Sequence, residues 1–130
     1  MAATYLDSSA IVKLAVRENE SLALRRYLRR RRPLVSSSLA RTEVMRALLP
    51  AGNDAVAAGR KVLSRLDLVR ISTGVLDEAG VLLPADLRSL DAIHLATARK
   101  LGKDLGAIVT YDERMADAAI HLGCRVAAPR

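Results

Sequence analysis

The chain has no Trp and no Phe, and its Tyr residues are confined to positions 5, 27 and 111. Base stacking on aromatic platforms is therefore a poor route to nucleic acid, and the core must be built from Leu, Val, Ile and Ala. One cysteine, Cys124, excludes an intrachain disulfide and fits a reducing compartment; its apolar neighbourhood reads as plain core. Two histidines and one cysteine make no zinc cluster, and neither a P-loop nor a G-x-G-x-x-G fingerprint is present. No stretch reaches the roughly 18 apolar residues of a membrane span, and the first residues lack the basic start and apolar run of a signal peptide. A soluble cytoplasmic protein without membrane contact is expected.

What remains is 130 residues, half of them apolar, enough for one domain with a real core. The net charge is +7, which favours an anionic partner. The excess is concentrated: Arg25, Arg26, Arg29, Arg30, Arg31 and Arg32 fall within eight residues. That run reads either as the solvated face of a helix or as a ridge that tracks phosphates, with Arg25, Arg29, Arg30 and Arg32 as candidate contacts to an RNA backbone.

Short apolar segments alternate with helical patterns. Strands are predicted at Tyr5–Asp7, Leu34–Ser36, Leu68–Ile71, Ala107–Thr110 and Cys124–Val126. Helices are predicted from Ser8 or Ser9 to Val16, from about Glu20 to Arg31 before Pro33, and from Ser37 or Ser38 through Glu43 to Leu49. Further helices follow from Asn53 or Asp54 to Leu66, from Ser72 or Thr73 to Leu83, from Ser89 to Gly102, and through Met115 to Leu122. The alternation calls for an α/β fold, a short and mainly parallel sheet with helices on both faces. Ligands of such sheets bind beyond the carboxyl ends of the strands, where strand order reverses.

Four acidic residues stand where regular structure begins or ends: Asp7, Glu43, Asp91 and Asp112. Each alone has an ordinary reading. Asp7 is a turn residue after a strand, Asp91 a favourable charge in a first helical turn, and Asp112 a helix cap. Glu43 has Leu39, Ala40 and Ala47 among its helical neighbours, which aims it at a pocket. Brought together, carboxylates repel one another, and burial penalises each. A divalent cation with hard oxygen ligands, Mg²⁺ or Mn²⁺, offsets this and points to phosphate chemistry. His94, one turn from Asp91, reads as a packed or supporting residue, Asp117 as surface and His121 as structural.

The segments Tyr5–Leu14, Arg41–Val44, Leu90–Ala98 and Val109–Asp112 resemble, in order and across the whole chain, the four acidic motifs of the PIN-domain nucleases, and most closely the VapC group of toxins. The resemblance implies a single PIN-like domain spanning 1–130 and an Mg²⁺- or Mn²⁺-dependent endoribonuclease. Asp7 and Asp91 would be its firmest metal ligands, and Glu43 and Asp112 would complete the acidic set. Ser8 and Thr110 match the small polar positions behind it. It also implies a VapB-like antitoxin as partner and a homodimer. The antitoxin groove would be lined from Ile11, Leu14, Ala15, Leu24 and Leu28. Two other classes fit parts of the pattern: a receiver-like domain with Mg²⁺ at strand ends, and a non-catalytic RNA-binding module using the arginines.

Overall fold

The computed structural model describes residues 2–130. Five strands, β1 (Ala3–Leu6), β2 (Leu34–Ser37), β3 (Asp67–Val69), β4 (Leu105–Val109) and β5 (Val126–Ala127), form a parallel sheet in the order β3-β2-β1-β4-β5. Seven helices connect them: α1 (Ser8–Ala15), α2 (Ser21–Leu28), α3 (Ala40–Leu48), α4 (Asn53–Leu63), α5 (Thr73–Gly80), α6 (Ser89–Arg99) and α7 (Glu113–His121). The chain winds outward from β1 to β3, returns through α5 and α6, and lays β4 on the other side of β1. Strand order therefore reverses between β1 and β4.

Side chains alternate across the pleat. Tyr5, Val35 and Ile108 stand in register and pack with Leu95, Met115 and Ala119 of α6 and α7. Leu6, Leu34 and Val109 face the other way, against Ile11, Leu24, Val44, Leu48 and Leu63 of α1 to α4. With aliphatic side chains buried on both faces, each worth about 1.5–3 kcal/mol, the aromatic-poor composition still closes two cores. Gly59 brings α4 close to α3, since a Cβ there would lie 2.5 Å from Leu48 Cδ1.

Several boundaries differ from the expectations. Asp7, rather than Ser8 or Ser9, caps α1, because its carboxylate accepts from the Ala10 N–H. Helix α3 starts without a side-chain cap; Ser37 Oγ accepts from the N–H of Leu39, the residue just before the helix. Ser89 is the first residue of α6 and Arg88 its N-cap. Helix α2 ends at Leu28 rather than Arg31. Beyond it, like charges four apart, Arg25 with Arg29 and Arg26 with Arg30, disfavour another helical turn, and Thr4 holds the exit by donating from its hydroxyl to Arg31 O and from its N–H to Pro33 O. The last strand starts at Val126, not Cys124: Gly123 turns at positive φ and the Cys124 N–H still donates to Ala119 O of α7. Cys124 is half-buried against the α6–α7 core, and burial pushes its thiol pKa up.

Candidate active site

The reversal point puts the ends of β1 and β4 side by side. Asp7 leaves β1 and caps α1; Thr110 and Asp112 leave β4, and Asp112 caps α7 by accepting from the Arg114 and Met115 N–H groups. Capping explains why carboxylates suit these positions. It also fixes their direction. Asp7 is only 4% exposed. Its Oδ1 accepts from Ser9 Oγ (2.6 Å) and the Ala10 N–H (3.0 Å), and its Oδ2 accepts from Thr110 Oγ1 (2.5 Å). Burial pushes the Asp7 pKa up, and these donors oppose the shift without cancelling it. Thr110 also accepts from the Asp112 N–H at 3.1 Å, so one hydroxyl ties the two strand ends together.

Glu43 enters from α3, half-buried as its apolar helical neighbours suggested. Its Oε1 accepts from Ser8 Oγ (2.5 Å) and from His94 Nε2 (2.6 Å). Desolvation raises the Glu43 pKa, but the His94 and Ser8 hydrogen bonds outweigh it and hold the carboxyl below its usual range. An ionised glutamate has no proton to give, so Nε2 must carry it. The other ring nitrogen, Nδ1, then accepts from Tyr5 Oη at 2.7 Å. Burial raises the Tyr5 phenol far above its ordinary value, which keeps that proton in place. His94 is 2% exposed. It is thus a buried link from the sheet, through Tyr5, to a catalytic candidate. The sequence reading placed His94 near the pocket but gave it no partner; its spacing from Asp91 was the only available signal.

Asp91 lies in the first turn of α6. Burial raises its pKa first and the charge of Asp112 raises it further, while Arg88 pulls it down. Thr110 joins the Asp7 carboxylate to the Asp112 N–H, and Ser8, next to Asp7, donates to Glu43. Asp91 and Asp112 share a guanidinium, with Arg88 3.4 Å from one and 3.3 Å from the other. The four acidic candidates therefore belong to one neighbourhood at the carboxyl edge of the sheet. Among the described residues, however, no three acidic, imidazole or thiol groups form a ready-made metal cage. Each carboxylate is turned to a protein donor instead. The donor set is all hard oxygen, the ligand type that Mg²⁺ and Mn²⁺ prefer, and a cationic group already bridges two of its members. A cleft of about 390 Å³ adjoins the site, bordered by Leu87, Arg88, Asp91, Arg114, Asp117 and His121.

The arginine run lies elsewhere. Arg30, Arg31 and Arg32 gather with Arg125 around Thr4 and Ala107, at the amino edge of the sheet. Arg25, Arg29 and Arg32 border a neighbouring groove with Arg65 over Leu14, Leu28 and Leu34. Arg29 to Arg32 follow the end of α2, so they are not a helix face. Of the residues suggested for an apolar antitoxin groove, Ile11, Leu24 and Leu28 are buried core, Leu14 and Ala15 are half-buried, and Leu14 and Leu28 border the arginine-lined groove just described.

Residues 4–121 match the PIN domain family. The chain is 68% identical over 129 residues to Ribonuclease VapC46 of Mycobacterium tuberculosis, covering 99% of each chain, and 42% identical to Ribonuclease VapC35 of that organism, covering 96% of each. Its fold is similar to VapC20 of Mycobacterium tuberculosis, described as a sarcin–ricin-loop-cleaving toxin (TM-score 0.74, 19% identity, 89% of this chain and 95% of that one). It is equally similar to a chain of a toxin–antitoxin complex from Klebsiella pneumoniae (TM-score 0.74, 22% identity, 98% of each). These likenesses favour neither the receiver-like domain nor the non-catalytic RNA-binding module. With residues 4–121 matching its profile and near full-length identity to two VapC ribonucleases, the chain belongs to the PIN-domain family, in its VapC group.

Proposed function

We propose that this protein is a divalent-metal-dependent endoribonuclease, the toxin half of a toxin–antitoxin pair. The observation that carries the reading is the meeting of Asp7, Glu43, Asp91 and Asp112 where strand order reverses, in a chain so close to named ribonucleases. Asp7 and Asp91 would hold Mg²⁺ or Mn²⁺, with Glu43 and Asp112 completing the set. The ion, when bound, neutralises charge on the scissile phosphate and lowers the pKa of a water.

The chain's own residues supply the rest. Ser9, Thr110 and the Ala10 N–H fix the Asp7 carboxylate before any ligand arrives, which spares reorganisation during the reaction. Ser8 and His94 both bind Glu43 Oε1, so Oε2 is left to accept the proton of the attacking water. Asp112 suits that role less well, since Oδ1 serves the α7 cap and Oδ2 faces Arg88. The arginines at the amino edge would hold a distant stretch of RNA backbone rather than the scissile phosphate.

The Klebsiella pneumoniae neighbour supports an antitoxin partner. A basic antitoxin side chain suits the acidic edge. Exposed Val81, Leu83 and Leu90, in and beside the link from α5 to α6, suit a homodimer contact. The test of the activity is cleavage of single-stranded RNA by the purified protein. EDTA should stop it, and added Mg²⁺ or Mn²⁺ should restore it. Cleavage that persists in chelator would overturn the reading.

A further inference from the structure

Arg88 contacts two of the four acidic candidates at once. It is the N-cap of α6, with extended backbone (φ −69°, ψ 150°), and its side chain reaches across from α6 toward the start of α7. Nε lies 3.4 Å from Asp91 Oδ2 and Nη2 lies 3.3 Å from Asp112 Oδ2. Both contacts are longer than the roughly 2.7–2.9 Å of a strong charge-assisted bond. The arginine side chain is also 65% exposed, against 18% for Asp91 and 29% for Asp112. The anions are thus partly buried while their cation is held loosely from the solvent side. Two neighbouring carboxylates need positive charge between them, whatever its source. A guanidinium that meets each through one oxygen, with no bidentate fork, is easily replaced.

We propose that Arg88 is an exchangeable internal counter-ion: it holds Asp91 and Asp112 together in the ion-free protein and must leave Asp91 before a divalent cation can bind. The inference rests on the proposed metal-dependent reading of this site. Its consequence is that the ion's apparent affinity contains the cost of displacing Arg88. The arginine thereby sets the ion concentration at which the enzyme becomes competent.

The test is Mn²⁺ titration of the full chain by calorimetry, with electron paramagnetic resonance counting free Mn²⁺, for wild type, Arg88→Gln and Arg88→Lys. Loss of the competitor should tighten Mn²⁺ binding about two- to tenfold in Arg88→Gln, with Arg88→Lys in between. In EDTA, Arg88→Gln should melt below wild type, and saturating Mn²⁺ should narrow the gap. Equal or weaker Mn²⁺ binding by Arg88→Gln would overturn the exchange while leaving the metal reading intact, for it would make Arg88 a fixed support of the ligands. Failure of both wild type and Arg88→Gln to bind Mn²⁺ would sink the metal reading, and the exchange with it.

Discussion

At the carboxyl edge of the sheet the chain places Asp7, Glu43, Asp91 and Asp112, with His94 bonded to Glu43 and Arg88 against Asp91 and Asp112. At the amino edge it gathers Arg30, Arg31, Arg32 and Arg125, with Arg25, Arg29 and Arg65 around the adjoining groove. β1 is four residues long, so the edges are about 13 Å apart at ~3.3 Å per residue. That exceeds the roughly 8 Å screening length of physiological salt, so salt weakens the pull of the exposed arginines at the far edge. The net charge of +7 belongs to the whole chain and says nothing of the carboxyl edge, where a nuclease would have to admit a negative substrate into a negative pocket. On the proposed function, attraction of RNA and chemistry on RNA would fall at opposite ends of the same strands.

That division can be broken by substitution. The largest effect is expected at the carboxyl edge: Asp7→Asn or Asp91→Asn should lower cleavage at least about a hundredfold, measured on a short RNA with circular dichroism confirming the fold. His94→Ala should cost about ten- to a hundredfold, because Glu43 loses the donor that orients it; an unchanged rate would reduce His94 to packing. Replacing Arg29, Arg30 and Arg32 together by Gln should leave kcat on a short RNA within about twofold. It should weaken binding of a long single-stranded RNA and make its salt dependence shallower by up to about two units of slope. If that triple variant instead abolished cleavage of the short RNA, the separation of the edges would be wrong.

The smallest effect separates stability from activity. The folded state holds a proton on Asp7 more tightly than the unfolded chain does, because burial raises its pKa. The ionised group therefore costs stability, and increasingly so as pH rises from the ordinary carboxylate range through the raised value. An asparagine keeps Oδ1 for Ser9 and the Ala10 N–H and can donate to Thr110 Oγ1. In chelator, Asp7→Asn should melt above wild type at neutral pH, and the difference should vanish in acid. A lower melting temperature at neutral pH would mean that the hydrogen bonds, not desolvation, dominate at Asp7.

Much of this was legible in the sequence because the same residues serve local structure and chemistry. Asp112 stands at a helix start that the capping rule finds. The same rule misses Asp7 by one or two residues, because Ser8 and Ser9 compete for the cap. Alternating apolar segments dictate a parallel sheet. The cap reading of both aspartates holds, and the ligand reading is the one that metal binding tests. What was not legible depends on contacts between distant segments. His94 meets Glu43 and Tyr5 only after three elements have packed. The arginine run reads as a helical ridge until Thr4 pulls its end onto β1. Arg88 offers no signal beside Asp91 until Asp112 is brought to its other side.

The central claim is that carboxylates from separate elements share one divalent ion. Anomalous diffraction from crystals grown with Mn²⁺ tests it most directly. The expected result is a peak within about 2.1 Å of Asp7 and Asp91 oxygens, with Glu43 or Asp112 directed at the same ion and Arg88 turned away from Asp91. A fully occupied peak elsewhere, or Asp7 and Asp91 without density between them at saturating Mn²⁺, would contradict it.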